Sequence, residues 1–301
     1  MAKQLIKITN DFNDTLYGFA WLSTSPKANV IIFTGMQETA ERYDDFALFL
    51  NKNNFDVYCI DHYGQGLNIK DFDVPGVWPT SGFSKSVKTF GELDFKLIRT
   101  GLPVYIFAHS MGSFMAQEYL QRFHDRANKV ILCGSDYASP FLMSFAYRLA
   151  KHLVPHNKSD LPNKTLANLV TGSFSKAVKD SKTEFDWLSY NEENVKKYIA
   201  DPKCGFVATG GFYREFLKGM RRLSKKKFIS KIRKTSSIFI IAGEEDPVGH
   251  NGKGPKKLFK MYKRLGIEDV TLKLYPNMRH EILNELNNDI VYQDILNFLN
   301  K

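Results

Sequence analysis

The chain has 301 residues, 43% hydrophobic and 25% charged, a composition that supports a sizeable core and excludes a protein dominated by disorder. Its net charge of +10 is concentrated. Residues 218–234 carry nine basic side chains and no acidic one, which leaves +1 for the rest and excludes a protein-wide nucleic-acid surface. No apolar run approaches the roughly 20 residues of a bilayer span. The first residues lack the apolar core of a signal peptide, so a cytoplasmic location is expected. The three cysteines, Cys59, Cys133 and Cys204, have neither disulfide-framework nor thiolate-metal spacing.

In chain order, residues 5–9 and 15–22 read as short strands around the turn-rich segment 10–14, an edge hairpin. Residues 28–33 (ANVIIF) are continuous and β-branched, as in a strand buried on both faces. They run into the loop 34–39 and a helix carrying Phe46 and Leu50. Residues 55–60 (FDVYCI) form the next strand, followed by the glycine-bearing loop 61–66. The stretch 71–82, with Pro75, Trp78 and Pro79, reads as irregular. A helix over 86–99 follows, with Phe90, Leu93, Leu97 and Ile98 as its apolar face. Strand 104–108, a helix and strand 129–133 continue an alternation that predicts an α/β fold with a parallel sheet and helices on both faces. Cys59 and Cys133 fall inside apolar strands, where a thiol acts as a small buried hydrophobe.

The alternation then stops for about a hundred residues. A helix over 140–154 sets Phe141, Leu142, Phe145, Leu149 and Leu153 on one side, and the aromatic-bearing segments 186–189 and 210–213 follow. Residues 136–234 are therefore expected to be a helical insertion packed across the sheet, between core segments 1–135 and 235–301. Strand 237–242, the acidic loop 243–249, a helix over 254–265, strand 270–275, the loop 276–281 and a helix over 288–299 complete the chain.

Within Val104–Leu120 (VYIFAHSMGSFMAQEYL), Ser110 sits between small residues where a strand gives way to a helix. That is the pattern of a nucleophile elbow, with Ala108 at the place of the first glycine of G-x-S-x-G and Gly112 at the second. A serine hydroxyl needs a base, and the base needs a carboxylate to fix its tautomer. His280, on the loop after the last strand, is the expected base. His62 is a weaker rival, His109 is expected to orient the elbow, and His250, His124, His152 and His156 lie in other segments. Asp246, 34 residues before His280, is the expected acid; Glu244, Glu245 and Asp136 are rivals. Backbone N–H groups of Met36 and Met111 are the expected donors to a developing oxyanion.

The blocks FTGMQETAERYDDFALFL, DHYGQGLN, AHSMGS, GEEDPVG and MRHEILNE, in this order, together with DWLSYNEENVKKYIADPKCGF in the insertion, resemble the α/β-hydrolase lipases of the monoacylglycerol lipase and lysophospholipase group. The resemblance implies an α/β-hydrolase fold with an inserted cap over an acyl pocket. By it Ser110, Asp246 and His280 match nucleophile, acid and base, and Met36 and Met111 match the oxyanion donors. Thr34 and Gln65 stand where histidines are usual, and Ala108 and Ser113 where glycines are. The implied activity is hydrolysis of lipid-like carboxylic esters. The alternatives are a short-chain carboxylesterase or thioesterase with the same triad, or a non-catalytic ligand-binding protein on the same fold. No metal or redox cofactor is implied. The basic run 218–234 reads either as a contact for an anionic lipid surface or as a solvated helix face.

Overall fold

The computed structural model describes residues 3–71, 73–155 and 159–301; Phe72, within the stretch expected to be irregular, and His156 lie outside them. Strands β1 (Lys3–Thr9) and β2 (Thr15–Trp21) form the expected hairpin, with Lys3 opposite Trp21 and Thr9 opposite Thr15. After β3 (Ala28–Phe33) come α1 (Asp44–Lys52), β4 (Phe55–Ile60), α2 (Gly82–Lys96), β5 (Val104–His109), α3 (Met111–Arg122) and β6 (Lys129–Cys133). The insertion holds α4 (Pro140–Leu153), α5 (Lys164–Val170), α6 (Glu192–Ala200), α7 (Gly210–Met220) and the short α8 (Lys226–Ile229). Then β7 (Ser237–Gly243), α9 (Lys253–Arg264), β8 (Asp269–Tyr275) and α10 (Asp289–Asn300) return to the core.

The strands make one sheet in the order β1-β2-β4-β3-β5-β6-β7-β8. β1 and β2 are antiparallel to their neighbours, and β4 through β8 run parallel. Alternation along each strand divides its side chains between two layers. Ile31 and Phe33 face the core shared with α2, α3, α7 and α9; Val30 and Ile32 face the one shared with α1 and α10. Each such side chain contributes about 1.5–3 kcal/mol through burial. Parallel strands bring their carboxyl ends to one rim, so the loops after β3, β5, β7 and β8 emerge together.

Three elements differ from expectation. α2 begins at Gly82, four residues early, because Phe83, Val87, Phe90 and Leu93 form its buried stripe; it ends at Lys96, and Leu97 and Ile98 lie beyond it, their N–H groups both returning to the Leu93 carbonyl. The apolar side of α4 faces solvent: Phe141 is 86% and Phe145 61% exposed, while Ala150 and the following Val154 are buried on the side toward α7. The basic run is not one helix face, since only Lys226–Ile229 is helical within 221–234. Lys218 pairs with Glu215 at 3.0 Å, and the Lys234 ammonium bonds the Leu265 carbonyl just past α9. That contact sets the run beside α9, which carries Lys253, Lys256, Lys257, Lys260, Lys263 and Arg264, so the cationic surface is larger than the run alone.

Among the described residues no helix is long and apolar enough to cross a membrane. α7 is buried on nearly every side, with Phe212 against Trp78 at 4.4 Å between ring centroids. At Gly112 a Cβ would overlap the carbonyl oxygens of Phe33 and Thr34, so α3 can approach β3 this closely only with glycine. Gly112→Ala should therefore cost about 1–3 kcal/mol, read by urea unfolding. Unchanged stability would contradict the close approach.

Candidate active site

β5 ends at His109, and Ser110 adopts φ +51° and ψ −119° before α3 begins at Met111. A non-glycine residue held there costs on the order of 1–3 kcal/mol. The surroundings hold it: the Ser110 amide donates to the Cys133 carbonyl at 2.9 Å, and the Ser110 carbonyl accepts from the Ser113 amide at 2.9 Å and the Ser113 hydroxyl at 2.6 Å. Ser113 Oγ also lies 2.8 Å from Ser135 Oγ. A serine where the resembling family has glycine thus braces the turn, a role its position in the sequence did not signal.

Asp246 follows β7 and is fully buried. Its Oδ1 accepts the Val248 amide at 2.9 Å, and its Oδ2 accepts the N–H of His280 Nδ1 at 2.9 Å. The His280 ring is buried, 4.7 Å from the His109 ring and 5.2 Å from Trp187 between centroids. Gly134, at φ +59°, leaves room for the imidazole where a Cβ would press on it. His280 Nε2 is buried without a hydrogen-bond partner among the described residues. An imidazole held through Nδ1 with Nε2 unengaged is arranged to take a proton from a nearby hydroxyl. Ser110, Met36 and His280 line one cavity of about 820 Å³.

The rivals sit elsewhere. Glu244 and Glu245 are exposed, and Glu245 accepts from the Tyr190 hydroxyl. Asp136 stands 3.5 Å from His250. His62 is buried with Nε2 3.1 Å from the Thr34 carbonyl, and burial, opposed by that carbonyl, lowers its pKa to about 4. His124 and His152 are exposed.

The loop after β3 is fixed from both sides. Gln65 donates through Nε2 to the Gly35 carbonyl at 3.0 Å and accepts the Gln37 amide at 2.9 Å. Gln37, at φ +58°, receives the Tyr198 hydroxyl (2.9 Å) and the Gly205 amide (3.0 Å) on its carbonyl. Among the described residues the amides of Met36 and Met111 have no acceptor, so both are available as donors.

Sequence reasoning missed the group beneath this loop. Glu38 Oε1 accepts from the Gly35 amide, from the Tyr43 hydroxyl at 2.7 Å and from His109 Nδ1 at 3.2 Å. His109 Nε2 lies 3.4 Å from the His280 carbonyl. Arg42 stands 3.8 Å from Glu38 and 2.6 Å from Glu281, and Asn194 donates to Glu281 at 2.6 Å. Burial opposes ionisation of Glu38, but the hydrogen bond and charge of His109 and the charge of Arg42 outweigh it and hold its pKa at about 2. Burial likewise opposes a charged His109, and Glu38 more than offsets it, so the imidazole pKa is raised. The only local signal was the pairing of Glu38 with Arg42 four residues on.

From the insertion, residues 186–190 dock on the loop that carries His280. The Glu281 amide donates to the Leu188 carbonyl at 2.7 Å, Ser189 donates to Glu285 at 2.8 Å, and Arg279 Nη1 donates to the Asp186 carbonyl at 2.7 Å. Among the described residues no group of three His, Cys, Asp or Glu side chains is placed to hold a metal.

The profile of the family described as serine aminopeptidase, S33 (Hydrolase_4) matches residues 24–287. The chain is 24% identical over 290 residues to a monoacylglycerol lipase of Mycolicibacterium smegmatis, covering 92% of this chain and 89% of that one. It is 25% identical over 296 residues to the monoglyceride lipase of Homo sapiens, with 94% and 86% covered. A thermostable carboxyl esterase from Bacillus coagulans, solved in complex with glycerol, superposes with a TM-score of 0.87 at 26% identity, covering 100% of this chain and 98% of that one.

The Glu38–His109 pair carries a pH signature. Glu38, depressed from 4.5 to about 2, contributes stability that is present above pH 4.5 and lost as pH falls toward 2. His109, raised above 6.5, contributes fully below pH 6.5 and loses that contribution as pH rises through its folded value. Both act together between 4.5 and 6.5. Glu38→Gln should thus destabilise by about 3 kcal/mol near pH 5.5 and by less near pH 3, read by urea unfolding. A difference independent of pH would contradict the pairing.

Proposed function

The chain belongs to the serine aminopeptidase S33 (Hydrolase_4) family of α/β hydrolases, and on that premise we propose that it is a serine hydrolase cleaving lipid-like carboxylic esters through an acyl-enzyme on Ser110. The fold and the relatives mark an ester hydrolase of the monoacylglycerol lipase and lysophospholipase group. In this reading His280 Nε2 takes the Ser110 proton as Oγ attacks the ester carbonyl. The carbonyl oxygen becomes an oxyanion facing the amides of Met36 and Met111, and the positive end of α3 adds to that stabilisation. His280 then passes the proton to the departing alcohol. Water, deprotonated by the same nitrogen, attacks the acyl-enzyme; the acid leaves and the proton returns to Ser110. Asp246 keeps the imidazole tautomer and steadies its charge.

The observation that carries this reading is the 2.9 Å Asp246–His280 hydrogen bond between two buried groups, with His280 Nε2 unpartnered among the described residues in the site it shares with a strained Ser110. Phe185, Trp187, Leu188 and Phe206 in the cavity wall support an acyl substituent. Residues 136–234 serve as the cap, with the buried α7 as its root.

A fluorophosphonate should label the wild type and leave Ser110→Ala unlabelled. Ser110→Ala and Asp246→Asn should each lower kcat/KM for p-nitrophenyl decanoate by about 10⁴-fold. A folded wild type that resists labelling would favour a non-catalytic binding protein. Turnover of acetyl and palmitoyl esters at equal rates would contradict a lipid pocket.

The same reading gives the enzyme an anionic lipid surface as partner. Phe141, Leu142 and Phe145 face outward on α4; Lys257 lies 4.3 Å over the ring of Tyr137 just before that helix, and Arg221 lies 4.7 Å over Tyr147 within it. Apolar insertion with a cationic rim suits a bilayer bearing negative headgroups. The double variant Phe141→Asp/Phe145→Asp should reduce co-sedimentation with anionic phospholipid vesicles at least about tenfold. Undiminished binding would contradict the assignment of this face.

A further inference from the structure

The wall of the cavity that holds Ser110 and His280 is also built from α5. Lys164, Ala167 and Asn168 line it from one face of the helix, as their spacing of three and four residues requires, and Thr171, which caps the C-terminus of α5, continues that wall. The other side of α5 carries Leu166, which is fully buried, and Val170, which packs on the core. A helix covering only an aliphatic chain would offer leucine or phenylalanine to the cavity. This one offers an ammonium, an amide and a methyl group, with the Thr171 hydroxyl bonded back to the Ala167 carbonyl at 3.0 Å. The next turn adds Lys176 to the same wall.

The charge balance at this end is positive. Of the carboxylates lining the cavity, Glu38 is engaged by His109 and Glu281 by Arg42, which leaves Glu184 as the one remaining carboxylate in a lining that holds two lysines. Among the described residues neither Lys164 nor Lys176 has a carboxylate within ion-pair distance. Two cations with no carboxylate partner among the described residues, set in the wall of a cavity, are suited to an anionic group on the ligand, and the Asn168 amide beside them supplies a further donor.

We propose that Lys164 and Lys176 form a subsite for an anionic group, phosphate or carboxylate, carried by the ester substrate away from the scissile bond. This rests on the hydrolase reading of the same site. The subsite would make the enzyme prefer charged lipid esters over neutral ones, and the preference would weaken as salt screens the lysines.

The test compares matched decanoyl esters: 1-decanoylglycerol, its 3-phosphate, and the glycerol monoester of decanedioic acid. The first two differ by a phosphate on the alcohol; the third carries a carboxylate at the far end of the acyl chain. The wild type should favour at least one anionic ester by about tenfold in kcat/KM, the scale of two part-exposed ion pairs. The ester favoured tells which end of the substrate meets the lysines. Lys164→Ala/Lys176→Ala should bring that ratio toward one, and Glu184→Gln should raise it. A wild-type ratio at or below one for both anionic esters, or a ratio unmoved in the double variant, would overturn the subsite. The same ligands titrated into Ser110→Ala protein give an equilibrium readout that needs no turnover. Preference for an anionic ester there, with no hydrolysis by the wild type, would uphold the subsite and count against the hydrolase reading. Equal binding of all three would overturn the subsite alone.

Discussion

The hydrogen bond between Asp246 Oδ2 and His280 Nδ1 is the constraint around which the site is arranged. A fully buried carboxylate must have its lone pairs met, and here one oxygen takes the Val248 amide and the other the imidazole. That choice fixes the ring, and among the described residues it leaves Nε2 without a hydrogen-bond partner. The fold makes the meeting possible because β5, β7 and β8 run parallel, so their carboxyl ends deliver Ser110, Asp246 and His280 to one rim. Gly134 clears the space the imidazole occupies, and the Trp187 ring packs against it at 5.2 Å between centroids.

A second layer of charge holds this arrangement in register. Glu38 gathers the loop after β3, the hydroxyl of Tyr43 and the imidazole of His109, and His109 reaches on toward the His280 carbonyl. Arg42 links Glu38 to Glu281, the residue after His280, and Asn194 joins them from α6. The inserted segment is therefore not simply laid over the cavity. Tyr198, Gly205 and Asn194 share hydrogen bonds with the very loops that carry Met36 and His280. Gln65 shows how a departure from the family pattern is accommodated: its amide supplies both a donor for the Gly35 carbonyl and an acceptor for the Gln37 amide.

How much of this was legible in the sequence depended on whether the signal was local. Strands 28–33, 55–60 and 129–133 were readable residue for residue, because each is an unbroken apolar run with clear breakers beside it. The small residues around Ser110, and the order in which an acid and a histidine follow later strands, are local signals, and the structure sets Ser110 and His280 in one cavity with Asp246 hydrogen-bonded to His280. The start of α2 was hidden because Phe83 follows a run of turn-forming residues. For α4 the periodicity reported a real apolar stripe but not whether anything covers it, and most of that stripe faces outward. The Glu38–His109 pair joins residues 71 apart in sequence, so no local pattern could announce it. The cationic surface was likewise understated, since the contact between Lys234 and the end of α9 exists only in three dimensions.

In the proposed reaction Ser110 carries the acyl group. Mass spectrometry of peptides from enzyme mixed with p-nitrophenyl decanoate and acid-quenched during turnover tests it most directly. A decanoyl adduct is expected on the peptide containing Ser110 and is absent from the Ser110→Ala protein. A decanoyl adduct on another residue, or hydrolysis that persists undiminished in Ser110→Ala, would contradict it.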